Sequence, residues 1–191
     1  EKEIKDLQIS KLLDNVETPL LFVLSELESN GVKIDTQFLK TMSTELVEKI
    51  SGTEKLIYQH SGEEFNISSP KQLGVILFDK LKIDENPKKT KSGQYSTSED
   101  VLNKLSKKNK IVDLILDYRE FKKLLSTYVD ALPQMISQND GLIHTDYAQA
   151  VTATGRLSSN RPNLQNIPIK TELGRKTRKA FVARDMESCI L

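Results

Sequence analysis

The hydrophobic period changes once along this chain, and that change limits the folds open to it. Between Asp35 and Ser61 the apolar residues Phe38, Leu39, Met42, Leu46, Ile50 and Ile57 recur close to the helical period of ~3.6 residues, so one side of a long helix faces a partner. After Asn139-Asp140-Gly141, a turn signal, the pattern alternates: Leu142, His144 and Asp146 against Ile143, Thr145 and Tyr147. Helical periodicity followed by alternation predicts an α+β fold that is mainly α.

Punctuation residues divide the helical part. Leu7, Ile9, Leu12, Leu13 and Val16 follow a loose helical stripe between Ile4 and Val16. Thr18 before Pro19 reads as the N-cap of a separate helix that stops at Asn30-Gly31. Val32 to Ile34 is an extended link, Asp35 caps the long helix, and Ser61-Gly62 ends it. Ser68-Ser69-Pro70 opens a helix with Leu73, Ile76, Leu77 and Phe78 inside, ending near Leu81. Residues 84–97, with Pro87, Gly93, Lys88, Lys89 and Lys91, hold too little apolar surface to offset ordering and predict a mobile basic loop. Ser96 and Glu99 read as a capping box, and Asn109 starts a further long helix through Ile111, Ile115, Tyr118, Leu125 and Val129 before Pro133. Beyond the alternating segment, Val151 to Thr154 and Phe181 to Ala183 read as strands, and Thr171 caps a short basic helix.

At 191 residues the chain can bury a real core as one domain or slightly more. No apolar run approaches the ~18–20 residues that cross a bilayer, which predicts a soluble protein without a membrane partner. The lone Cys189 excludes an internal disulfide and reads as a buried strand thiol; His60 reads as a helix-end residue and His144 as a strand-surface one, with no zinc spacing between them. Glu1-Lys2-Glu3 does not open a secretory signal, and both ends read as cuts in a longer chain. The net charge of +1 hides a pattern: residues 1–50 carry −4, 51–110 +3, 111–150 −3 and 151–191 +5. Two basic segments fit two contacts on one polyanion, and equally a solvated surface.

Chemistry concentrates between Thr152 and Pro168, where the polar groups are amides, hydroxyls and guanidinium with no carboxylate among them. Such a set exchanges hydrogen bonds and cannot hold a metal strongly. Gly155 allows close backbone approach, Arg156 presents a planar fork of donors, and Asn163, Gln165 and Asn166 could reach sugar, phosphate or base edges. A polar loop satisfying its own backbone is the bland alternative.

The run T-x-T-G-R-L-S-S-x-x-P-N-L-Q-N-I-P resembles the signature of bacterial family A DNA polymerases. Further segments match in order: Glu17-Thr18-Pro19-Leu20, Phe65 through Leu73, Ser96-Thr97-Ser98-Glu99, Tyr118-Arg119, Ser126-Thr127-Tyr128 and His144-Thr145. The resemblance covers nearly the whole chain. It implies a thumb, a long antiparallel helix pair with a small helical tip and flanking palm-side helices, over residues 1–140, and the strand-bearing start of a palm over 141–191. It implies that Asn66, Ser69 and Lys71 touch phosphates at the tip and that Arg119 and Lys123 hold the primer or template backbone. Arg156 would enter the minor groove at the primer terminus, with Thr154, Asn163, Gln165 and Asn166 on the terminal pairs and template.

The implied partner is primer–template double-stranded DNA, bound without regard to sequence during replication and repair. The two metal-holding aspartates and the nucleotide-binding helix of the family would lie beyond Leu191, and Asp185 and Glu187 do not replace them. The fragment would therefore be inactive and bind no cofactor, while the parent nucleotidyltransferase would use Mg2+ and deoxynucleoside triphosphates in the bacterial cytoplasm, at the nucleoid. A palm cut there would bare strand edges and allow self-association. The alternative reading is a helical protein-interaction module that does not bind DNA.

Overall fold

The computed structural model describes residues 9–185, so the expectations for Ile4, Leu7, Glu187 and Cys189 lie outside the described residues. The chain forms two compact units, one from Glu1–Lys40 with Tyr128–Leu191 and the other from Thr41–Thr127.

Helix α1 begins at Ser10–Leu12, passes through a π-helical turn at Leu13–Glu17 and continues as Thr18–Asn30. Thr18 is not an N-cap: its backbone is helical (φ −69°, ψ −47°) and its N–H donates to the Leu13 carbonyl. Pro19 lacks an N–H, and its ring crowds the carbonyl four residues earlier; a wide turn just ahead of it gives the room that lets the helix run on. The helix stops at Gly31, whose φ of +60° no ordinary side chain favours. Strand β1 (Lys33–Ile34) leads to Asp35, whose carboxylate accepts the Phe38 N–H at 2.8 Å and starts α2, Thr36–Ser61. Gly62 (φ +73°) closes α2 with its N–H on the Tyr58 carbonyl.

The unit Thr41–Thr127 is built on α2, on α3 (Pro70–Gly74, continued by a π turn at Val75–Lys80), on α4 (Glu99–Ser106) and on α5 (Lys110–Leu124, continued by a π turn at Leu125–Val129). Ile50 and Ile57 of α2, Leu73, Leu77 and Phe78 of α3, Leu102 of α4 and Ile111, Ile115 and Tyr118 of α5 share one apolar cluster. Helices α2 and α5 run antiparallel. Lys49 lies over the Phe121 ring, while Tyr58, farther along α2, packs against the cluster that contains Tyr118, earlier on α5. Burial, and then the bond to Glu54, push the Tyr58 phenol up to about 12.

Two expectations fail in this unit. Residues 84–97 form a small hairpin rather than a mobile loop: Lys89 pairs with Tyr95, and Ser96 N–H donates to the Lys88 carbonyl at 2.8 Å. Tyr95 supplies the apolar anchor that composition concealed. Its ring packs 5.1 Å from Phe78, its hydroxyl donates to Asp79, and it sits so close to Gly74 that a Cβ there would come within 2.9 Å. With Ser96 in the hairpin, the N-cap of α4 falls to Ser98, whose carbonyl takes the Val101 and Leu102 N–H groups.

In the other unit a 3-10 turn, Leu132–Met135, is followed by a mutual Val32–Ile143 backbone pair at 2.8 Å. Strand β2 (Asp146–Ala148) pairs antiparallel with β3 (Ser158–Asn160), placing Tyr147 opposite Ser159. Val151 to Thr154 is a turn rather than the expected strand, because Gly155 takes φ +71° and the Thr152 hydroxyl donates to the Arg156 carbonyl at 2.7 Å. Helix α6 (Glu172–Arg178) is capped by the Thr171 hydroxyl, which accepts the Gly174 N–H, and β4 (Phe181–Val182) pairs antiparallel with β1. A Cβ at Gly174 would meet the Pro168 carbonyl oxygen at 2.7 Å, so only glycine lets Pro168 seat on α6.

His144 is more than a strand-surface residue. Its Nδ1 lies 2.6 Å from the Glu28 carbonyl near the end of α1, and its Nε2 lies 2.9 Å from an Asp140 carboxylate oxygen. Both neighbours only accept, so the doubly protonated ring satisfies both bonds. The Glu28 carbonyl, then Asp140, hold the imidazole above its ordinary value, while the Leu142 N–H first of all holds the Asp140 carboxyl below its own. A raised histidine contributes stability that is complete below its unfolded value of ~6.5 and lost as pH rises through its folded value. The melting-temperature advantage of the unaltered protein over His144→Gln is therefore expected to shrink as pH rises from ~6 to ~8.5. A pH-independent difference would contradict this.

Candidate nucleic-acid interface

The tip residues of the unit Thr41–Thr127 are held by their own turn. Asn66 Oδ1 accepts the Ser68 N–H at 3.0 Å, Asn66 N–H donates to Gln72 Oε1 at 2.7 Å, and Ser69 Oγ accepts the Gln72 N–H at 3.4 Å. Ser69 is thus the N-cap of α3, half-buried, with exposed Asn66 and Lys71 on either side. Arg119 and Lys123 share a face of α5 at helical spacing, yet their environments differ. Lys123 is exposed, whereas Arg119 is partly buried, with Nη1 donating to the Thr97 carbonyl and Nη2 to the Thr97 hydroxyl. Desolvation holds the guanidinium below its ordinary value, partly countered by Glu99. Arg119 fixes the end of the hairpin, a task that sequence reasoning missed.

The other candidates lie in the unit completed by Tyr128–Leu191. Thr154 and Arg156 are exposed on the turn closed by Thr152, with Gly155 between them. Asn163 Oδ1 accepts the backbone N–H groups of Gln165 and Asn166, both at 3.1 Å, which coils residues 163–166 into an Asx turn. Gln165 Oε1 accepts the Ser159 N–H at 3.1 Å, so that side chain folds back on β3. These bonds use the oxygens of Asn163 and Gln165, while both side chains remain exposed and their NH2 groups have no internal partner among the described residues. Asn166 is held by its backbone: its carbonyl accepts the Tyr128 hydroxyl at 2.6 Å, from a buried phenol whose pKa desolvation raises.

The structure thus brings Asn163, Gln165 and Asn166 into one turn beside β3, in the unit that includes Tyr128–Leu191, while Asn66, Ser69, Lys71, Arg119 and Lys123 belong to the unit Thr41–Thr127. Sequence reasoning gave no role to Tyr128, Thr145 or Ser159, which hold that turn from beneath. Arg161 also went unassigned; its Nη2 and Nε reach Asp146 across the β2–β3 pair at 2.7 and 2.8 Å. Among the described residues no group of three or more histidine, cysteine, aspartate or glutamate side chains is placed to hold a metal ion. No described helix is long and apolar enough to cross a membrane.

Residues 36–191 match the model of DNA polymerase family A. The chain is 51% identical over 180 residues to DNA polymerase I of Geobacillus stearothermophilus, covering 94% of this chain and 20% of that protein. It is 50% identical over 190 residues to DNA polymerase I of Bacillus subtilis, covering 98% and 21%. It therefore spans about a fifth of the length of these relatives. Among solved structures, the polymerase domain of Pol1 from M. smegmatis, in complex with DNA primer–template and dNTP, superposes with a TM-score of 0.87 at 39% identity, over 95% of this chain and 32% of that one. With more than half its length inside the family model and its signature folded as an exposed amide turn, the chain belongs to DNA polymerase family A.

Proposed function

We propose that this chain is the duplex-gripping segment of a DNA-directed DNA polymerase of the polymerase I type, and that it binds primer–template DNA without regard to sequence. The observation that carries the reading is the turn at residues 163–166, which satisfies its own backbone through side-chain oxygens and leaves amide donors outward. Donors suit the minor groove, where purine N3 and pyrimidine O2 offer acceptors on every correct pair. Arg156 reads that groove at the primer end, Thr154 flanks it, and Asn163, Gln165 and Asn166 hold the terminal pairs and template. Asn66, Ser69, Lys71 and Lys123 neutralise or hydrogen-bond phosphates. Arg119, tied to Thr97, offers only its remaining N–H edge.

In this reading residues 1–140 form the thumb with its flanking palm-side helices, and 141–191 the start of the palm. Nucleotidyl transfer, with its deoxynucleoside triphosphates and Mg2+, belongs to the whole polymerase, in the bacterial cytoplasm at the nucleoid, and no step of it passes through these residues.

Primer–template binding should weaken with added salt, with a log–log slope of roughly −0.9 per phosphate contact, measurable by fluorescence anisotropy. Arg156→Ala in the whole polymerase is expected to slow extension of a matched primer about tenfold and to narrow discrimination against a mispaired terminus. Unchanged extension and mispair rejection would refute the role given to Arg156. Capture of a protein partner with no response to DNA would favour a helical interaction module instead.

A further inference from the structure

We propose that Thr145 and Ser159 are positioning residues, a buried hydroxyl pair that aims the amide turn; the proposal rests on the reading of that turn as the duplex contact. Thr145 and Ser159 are 5% and 0% exposed, and their hydroxyl oxygens lie 2.7 Å apart. The Leu164 N–H donates to Ser159 Oγ at 3.1 Å, and Thr145 Oγ1 lies 2.8 Å from the Pro162 carbonyl and 3.0 Å from that of Asn160. Each hydroxyl has one proton to give. Ser159 Oγ also lies 3.1 Å from the Pro162 carbonyl, so the Leu164 N–H donates to Ser159 and two orders ending on that carbonyl use every hydroxyl proton: Ser159 to Thr145 to Pro162, or Thr145 to Ser159 to Pro162.

Such a chain polarises along its length in a site that excludes water, and its members are costly to leave unpaired. It joins both ends of the segment 159–164 to β2, the strand that follows Thr145, and Ser159 also gives its backbone N–H to Gln165 Oε1. The Gln165 side chain is held by the Ser159 backbone N–H, and the backbone that carries it is held, through Leu164 and Pro162, by two buried hydroxyls. Neither touches the duplex in this account; both act through Asn163, Gln165 and Asn166.

The test combines amide hydrogen exchange with primer–template binding in the full chain. Ser159→Ala is expected to speed exchange at Leu164 about tenfold and to weaken duplex binding by a similar factor. In that background Gln165→Ala should add less further loss than it causes alone, because the backbone at Leu164 that carries the side chain has already been released. Thr145→Val should act in the same direction, and Thr145→Ser, which keeps the hydroxyl, should restore binding to within about twofold.

Equal losses from Gln165→Ala in both backgrounds, or unchanged Leu164 exchange with binding intact, would overturn the proposal. Should the unaltered chain fail to bind the duplex while Leu164 exchange still responds, the reading of the turn as the duplex contact fails and the hydroxyl pair is only a fastener of the turn. If Ser159→Ala does not fold, the Thr145→Val and Thr145→Ser pair decides the question by the same two readouts.

Discussion

Gly31→Ala is expected to destabilise the fold by about 2–4 kcal/mol, summing backbone strain and steric overlap. Gly31 has φ +60° and ψ −177°, a region that is essentially reserved for glycine. An added Cβ would come within 2.8 Å of His144 Cε1 and 3.0 Å of the Ile143 carbonyl oxygen. The ring cannot swing aside without breaking its bonds to Glu28 and Asp140, and Ile143 is fixed by its pairing with Val32. Gly52→Ala is the control: it lies within α2 with nothing near its would-be Cβ, and alanine there should stabilise by about 0.5–1 kcal/mol. Urea unfolding of the two variants should move in opposite directions. A Gly31→Ala loss below about 1 kcal/mol would contradict the account.

Ile115→Ala should cost a comparable ~2–5 kcal/mol through a different mechanism. Ile115 is wholly buried on α5, inside the cluster that also contains residues of α2, α3 and α4, so its removal leaves a void walled by several elements. Val47→Ala on α2, at a position 52% exposed, should stay within about 0.5 kcal/mol. The midpoint of chemical denaturation distinguishes these outcomes, and a similar shift for both variants would contradict a core in which Ile115 is central.

Local rules carried the sequence reading wherever one residue could satisfy one backbone group. Asp35 at the start of α2, Gly62 at its end and Thr171 ahead of α6 act as their chemistry requires. The reading failed where a distant partner decided the outcome. Pro19 read as a helix start, because nothing local announces a π turn able to absorb it. The hairpin looked mobile because its composition is polar, while its order depends on Tyr95 meeting Phe78 and Gly74. Val151 to Thr154 alternates like a strand, but among the described residues no strand pairs with it and Gly155 turns the chain.

The candidate site was legible to the same degree. Its exposed amides and Arg156 stand out as a run of polar groups without carboxylates. Thr145, Ser159 and Tyr128 do not stand out, because a hydroxyl's place in a buried network depends on contacts far apart in the chain.

Pro168 resting on bare Gly174, with Arg175 also donating to the Ile169 and Lys170 carbonyls, makes helix α6 a passenger of the segment that precedes it. A displacement of residues 168–170 would carry that short basic rod with it. A fluorescent dye on the exposed Arg178 or Lys179 would thus register the movement from a distance, without altering any group at the point of contact.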